Sequence, residues 1–278
     1  MTERHPTPFR GTLEAEGAGA SPSRDEPAEG KYVYCVVEGR EELDLGPIGI
    51  GGEGRHVYTV HFGELAAVVS DTPLRLYDPT RDNLLAHERV NEMVMAGRTI
   101  IPMSFGTIFR TKEDIIELLR STGRAFSDVL VKIRDKLELG LKVLWDRDRV
   151  VAQVESEDPA ISGLREEITN TERGSTYFAR MQLGRLVESA LEERAERFIS
   201  DIYDTLRPFS VASRSNKVIG ENMILNAAFL VERASEEQFD GAVRDLSSRY
   251  DGLLQFKYTG PWPPYNFVNI KLKLERAD

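Results

Sequence analysis

Short runs of β-branched and aromatic residues alternate along this 278-residue chain with long stretches whose apolar residues recur every three or four positions. The two periods select different backbones. Successive side chains alternate faces on a strand, whereas they return to one face every ~3.6 residues on a helix. The fold must therefore mix sheet and helix throughout. Residues 32–37 (Tyr-Val-Tyr-Cys-Val-Val) read as a strand. Residues 56–62 and 65–70 read as a hairpin closed by a Gly63-Glu64 turn, and the Gly-rich stretch 46–54 before them as a loop. Asp82 or Asn83 is placed to cap a helix that runs towards Ala96 and is ended by Gly97. Residues 99–109 form another extended stretch, interrupted by Pro102.

Thr111 with Asp114 three positions later resembles a capping box, an acid replacing the usual Glu or Gln. Ile115, Leu118, Leu119, Phe126, Val129, Leu130, Ile133 and Leu137 then follow at helical spacing, with Gly123 a candidate kink, and residues 139–145 alternate as a strand. Residues 155–175 are polar and contain Pro159, Gly163 and Gly174, the composition of a junction. A long amphipathic helix starts near Ser175 or Thr176. Its apolar set is Phe178, Met181, Leu186, Ala190, Leu191, Phe198, Ile202 and Leu206, and Pro208 stops it. Strands at 209–213 and 223–231, a helix at 236–250 and a strand at 253–259 complete the pattern.

This order predicts an α+β protein of two domains, the length suiting two cores better than one. Residues 1–30, rich in Pro, Gly, Ala, Ser and Glu, are expected to be a disordered tail. Residues 31–154 are expected to form an N-terminal α+β domain, a modified ferredoxin-like sheet carrying helices and an extra strand. Residues 155–174 are expected to link it to a C-terminal α+β domain at 175–278, ferredoxin-like with a long helix but lacking an opening strand, and ending in a Pro- and aromatic-rich segment.

Chemistry is harder to find. The net charge of −10 and the absence of clustered Lys and Arg disfavour nucleic acid and anionic membranes as partners. No apolar run is long enough to span a bilayer and the first ten residues have no signal-peptide pattern, so a cytoplasmic location is expected. The lone Cys35 cannot form an internal disulfide and reads as a small buried hydrophobe. The four histidines (His5, His56, His61, His87) are scattered. His56 and His61 fall on opposite faces of one strand, and His87 and Glu88 diverge on a helix, so no metal is expected. Gly49-Ile50-Gly51-Gly52-Glu53-Gly54 fits Gly-x-Gly-x-x-Gly, but Pro47 precedes it and a strand follows, whereas a dinucleotide fingerprint opens a helix. No phosphate-cradling loop with its Lys and no Gly-x-Ser-x-Gly elbow occurs. No cofactor and no catalytic residue are assigned.

Two segments stand out. In Ile101-Pro102-Met103-Ser104-Phe105-Gly106-Thr107-Ile108-Phe109, Pro102 cannot donate to a ladder, so the strand must be bulged or at an edge. In Tyr258-Thr259-Gly260-Pro261-Trp262-Pro263-Pro264-Tyr265-Asn266-Phe267-Val268, three prolines favour a stiff, polyproline-like path that presents four aromatic rings. Together with residues 32–37 and Asn226-Ala227-Ala228-Phe229-Leu230-Val231, these segments resemble the GvpF/GvpL gas vesicle family over roughly residues 31–270. The Gly-Pro-Trp-Pro-Pro-Tyr stretch is the most specific of them; the tail at 1–30 lies outside the resemblance.

The resemblance implies a non-catalytic accessory protein needed to build the gas vesicle. It also implies two α+β domains and contact with the small hydrophobic shell protein GvpA and other accessory proteins. Pro102, Phe105, Tyr258, Trp262, Tyr265 and Phe267 are the candidate residues, either for docking a partner or for packing the two domains together. Aromatic residues on a stiff segment bury against their own protein more often than not. The competing reading is a ferredoxin-like small-molecule-binding or regulatory protein.

Overall fold

The computed structural model describes residues 28–52, 54–170 and 176–268. Most of the expected tail therefore lies outside the described residues, and Glu29 and Gly30 already belong to the first strand. The described residues form a mixed α+β fold with two antiparallel sheets, the first with an apolar core on each face and the second with one.

The first sheet comprises β1 (Glu29–Glu38), β2 (Asp44–Gly49), β3 (Arg55–Phe62), β4 (Leu65–Pro73), β5 (Ile100–Pro102) and β6 (Ile108–Phe109). Its order is β2-β3-β4-β1-β5, with β6 also pairing to β1. The glycine-rich stretch expected as a loop thus supplies a strand, β2, paired irregularly to β3. Pro47 is tolerated because β2 is an edge. Helix α1 (Arg81–Met95) covers one face and α2 (Lys112–Ile133) the other. Burial on both faces explains why residues 32–37 are apolar without interruption. A register shift between Val33 and Cys35 resets the alternation of β1. Val33 and Val36, three apart, consequently share the α2 side, while Tyr32, Tyr34, Cys35 and Val37 share the α1 side.

The helix starts follow from local hydrogen bonding. Thr80, and not Asp82 or Asn83, caps α1, its hydroxyl accepting from the amide of Asn83; Asp82 sits in the first turn, where the helix dipole favours an acid. The Thr111–Asp114 capping box is present, with the Thr111 hydroxyl accepting from Asp114 N at 3.1 Å and the Asp114 carboxylate from Thr111 N at 2.9 Å. Helix α2 runs unbroken through Gly123. It ends where Arg134 becomes extended and Asp135 turns left-handed at φ 56°, so Leu137 belongs to the next strand instead of the helix.

That strand, β7 (Lys136–Trp145), corrects the expected organisation. The sequence places it at the end of the first domain, yet it pairs with β9 (Met223–Glu232) and β10 (Leu254–Trp262) in a second sheet of order β10-β7-β9-β8, where β8 is Ala212–Ser215. Leu137, Leu139, Leu141 and Val143 of β7 face the same core as Leu225, Phe229 and Val231 of β9. The stretch 155–174 is not a bare linker. The end of α3 (Arg147–Glu157) and α4 (Pro159–Asn170) occupy its described part, and Val150, Val154 and Ile161 anchor them on the second core. Helix α5 (Tyr177–Leu206) and α6 (Glu236–Arg249) pack on the same core through Leu191, Phe198, Ile202, Phe239 and Leu246. The first turns of α5 depart from expectation, because Phe178 and Met181 are exposed. Residue Phe209 lies in a 3-10 turn (Arg207–Phe209), so the strand expected at 209–213 begins only at Ala212.

A chain cut at 155 loses the strand on which β9 and β10 both pair. A fragment of residues 136–278 is therefore expected to unfold cooperatively on heating, and one of residues 155–278 to show no cooperative transition, as read by circular dichroism.

Candidate functional site

The terminal segment turns back over both sheets after β10. Gly260, at φ 124°, is forced by packing as well as by conformation, since a Cβ there would lie 2.9 Å from the carbonyl oxygen of Glu138. Trp262 stays in the ladder opposite Glu138. The polyproline path expected beyond it is replaced by a turn, with Phe267 N and Val268 N both donating to the carbonyl of Pro264 at 3.0 and 3.1 Å. Pro263 and Pro264 are buried, and Val268 packs against the core shared by β1, β4 and α2.

Tyr265 is the centre of this arrangement. Its hydroxyl donates to Glu88 Oε1 at 3.0 Å and accepts from Asn91 Nδ2 at 2.8 Å. It also lies 3.1 Å from His87 Nε2. The other ring nitrogen of His87, Nδ1, is 2.9 Å from the hydroxyl of Tyr32, which in turn accepts from the amide of Gly106 at 3.0 Å. Phe105 closes the pocket, its ring 5.9 Å from that of His87 and 6.4 Å from that of Tyr32. Three separate pieces of chain (β1, α1 and the 103–107 loop) thus converge on one aromatic side chain from the end of the protein. Asn91 Oδ1 and Glu88 Oε2 are buried with no hydrogen-bond partner among the described residues, so the cluster depends on the bonds that Tyr265 supplies.

Burial sets the electrostatics. It pushes the His87 pKa down to about 4, against a weaker upward pull from a backbone bond to Met103, so the imidazole is neutral near pH 7. Each ring nitrogen faces a hydroxyl, which suits a neutral ring. Burial raises the carboxyl of Glu88, and the bond from Tyr265 partly offsets it. The Tyr265 phenol is raised by burial and by the neighbouring Glu88 charge. Cys35, buried nearby on β1, has its thiol pKa raised by burial, which removes thiolate character.

A second set of bonds ties the same segment to the other sheet. Asn266 donates through its backbone and its side chain to the two carboxylate oxygens of Glu138 on β7, at 2.7 and 2.5 Å. Arg214 on β8 donates to the Asn266 carbonyl at 2.8 Å. Glu138 is only 5% exposed; burial raises its pKa and the Asn266 bonds pull it back. Arg233 reaches the Met95 carbonyl at 3.4 Å and lines, with Arg98, Arg134 and Pro264, a cleft of about 310 Å3.

A family model described as gas vesicle synthesis protein GvpL/GvpF matches residues 30–269. The chain belongs to this family. Gas vesicle protein F1 of Halobacterium salinarum is 31% identical over 251 residues, covering 89% of this chain and 97% of that protein. Gas vesicle protein F of a Streptomyces species is 31% identical over 238 residues, 85% of this chain and 98% of that protein. The crystal structure of GvpF from Anabaena superposes with a TM-score of 0.78 at 24% identity, covering 88% of this chain and all of that one; at this identity the likeness concerns the fold. No helix among the described residues of this GvpL/GvpF member is long and apolar enough to cross a membrane.

The residues singled out in the sequence divide into two groups. Phe105 and Tyr265 meet around His87. Pro102, paired opposite Cys35 on the edge strand β5, lines a small cavity with Met103, Phe126, Tyr265 and Val268. Tyr258 is elsewhere. It points towards α6, where it donates to Asp240 at 2.5 Å and its ring stacks 6.1 Å from that of Phe239. Trp262 and Phe267 are half-buried. Sequence reasoning missed His87, Glu88, Asn91 and Glu138. The available signal was the i, i+4 pair His87/Asn91 on the apolar stripe of α1, and a lone acid between Leu137 and Leu139.

Removing the Tyr265 hydroxyl leaves Asn91, Glu88 and His87 short of partners inside the fold. Tyr265→Phe is expected to lower stability by about 1–3 kcal/mol in urea titration. The depressed His87 pKa sets a pH window: the unfolded ring binds a proton near pH 6.5 and the folded one only near 4. Its contribution is complete above pH 6.5 and is lost as pH falls towards 4, by about 3 kcal/mol, while Glu88 and Glu138, raised by burial, act in the opposite sense. Stability measured from pH 7 to 4 should therefore fall more steeply in the native protein than in His87→Gln.

Proposed function

We propose that this chain is a non-catalytic accessory protein of gas vesicle assembly, acting in the cytoplasm and at the vesicle as an adaptor or chaperone for the hydrophobic shell protein GvpA and for other accessory proteins. Family membership supports the setting. The observation that carries the finer reading is the apolar surface at the start of α5, where Tyr177 is 66%, Phe178 77% and Met181 41% exposed. Tyr177 and Phe178 pack edge to face, 5.6 Å between centroids. Side chains of this kind, left uncovered beyond the core, favour binding an apolar partner, and a shell subunit with one apolar face needs such cover until it is incorporated.

In this reading the six residues of the two unusual segments divide the work differently from the α5 surface. Pro102, Phe105, Tyr265 and Phe267 pack the two parts of the molecule together, and Tyr258 and Trp262 hold the second sheet. We further read the two sheets as two domains. The second follows the order β-α-β-β-α-β with its strands arranged 4-1-3-2, the ferredoxin-like plan; β7 is the opening strand. The first is a modified relative, enlarged to six strands and covered on both faces.

The test is co-purification with the shell protein. Replacing Tyr177, Phe178 and Met181 together by Ser is expected to abolish retention of the shell protein while leaving the melting temperature unchanged. Undiminished retention by that variant would sink the assignment of this surface.

A further inference from the structure

A cleft of about 540 Å3 lies away from the Tyr265 cluster, between the glycine-rich turn after β2 and the first turns of α1. Arg75 and Arg89 line it. Neither has a carboxylate partner among the described residues, and Asp82 is the only acid among the described residues of the lining. The Arg75 guanidinium is held 5.0 Å above the ring of Tyr77. That ring is itself fixed by a hydroxyl–hydroxyl bond to Thr72, so the cation is oriented before any ligand arrives. Pro47, Ile48, Leu85 and Ala86 form an apolar wall on the same cleft.

The backbone on the loop side is open. Gly51 and Gly52 have φ of 107° and 79°, and no atom lies within 4 Å of the position a Cβ would take at Gly52. The sequence pattern Gly-x-Gly-x-x-Gly fails as a dinucleotide fingerprint because β3, not a helix, follows it. Tertiary structure nevertheless brings Thr80, Asp82 and Asn83, at the start of α1, to the opposite wall. A helix start by itself marks nothing. Two guanidinium groups without acid partners, one of them pre-oriented, facing a cleft with an apolar wall, do.

We propose that this cleft binds a small phosphate-bearing molecule, its phosphate or diphosphate held by Arg75 and Arg89 and its body against the Ile48–Leu85 wall. Guanidinium forks match phosphate oxygens in geometry and charge. The size of the cleft admits a nucleotide- or sugar-phosphate-sized ligand. The site is independent of the shell-binding reading.

Calorimetric titration of the full-length protein with pyrophosphate, with adenosine monophosphate and with sulfate as control tests this. Saturable binding of a phosphate ligand is expected, stronger than sulfate and weakened about tenfold or more by Arg75→Gln and by Arg89→Gln. Both side chains are exposed, so the variants should keep the native melting temperature. Absence of saturable binding, equal affinity for sulfate, or binding by both variants equal to that of the native protein would overturn the proposal.

Discussion

Tyr265 places its hydroxyl on helix α1, 178 residues earlier at His87, and its neighbour Asn266 places two donors on Glu138 of β7. One short segment thereby joins the two sheets through polar contacts, while its Val268 packs on the core of the first. Such contacts are directional. An apolar patch slides at little cost, whereas a buried carboxylate with both oxygens occupied has one geometry. The buried prolines at 263 and 264 deliver the segment to these contacts.

The clamp is built from groups whose charges burial suppresses. His87 is held neutral, and Glu88 and Glu138 are raised towards the neutral form, each compensated by hydrogen bonds from the terminal segment. The surface ion pairs, among them Arg134–Glu38, Arg147–Glu188 and Arg207–Asp204, join side chains largely open to water. Pairs of that kind contribute little. Stability and specificity therefore reside in the three apolar cores and in the few polar bonds between them.

For a member of the GvpL/GvpF family this division of labour has a functional consequence. The unusual proline- and aromatic-rich stretch reads, as a sequence, either as domain packing or as a docking surface, packing being the commoner outcome. In the fold Tyr265 is consumed internally, Pro102 is buried and Tyr258 is bonded to α6. Phe178 and Met181 at the start of α5, which periodicity assigned to a core, are among the apolar side chains left uncovered, with Leu76, Val131 and Ile219 elsewhere. The residues of α5 buried on the second core, Leu191, Phe198, Ile202 and Leu206, all lie in the later part of this 30-residue helix.

The sequence by itself determined the local elements. The Thr111–Asp114 box starts α2, the Gly63-Glu64 turn closes the β3–β4 hairpin, and Pro102 sits at an edge, because capping, turn formation and the missing proline N–H act within a few residues of chain. Only the tertiary structure decided which strands pair, that β7 belongs with β9 and β10, that a bulge at residues 33–35 sorts β1 between two helices, and that His87, Asn91 and Tyr265 meet. These outcomes depend on surfaces far apart in the chain. Alternation in a strand records that a face will be buried, and carries no information about what will bury it.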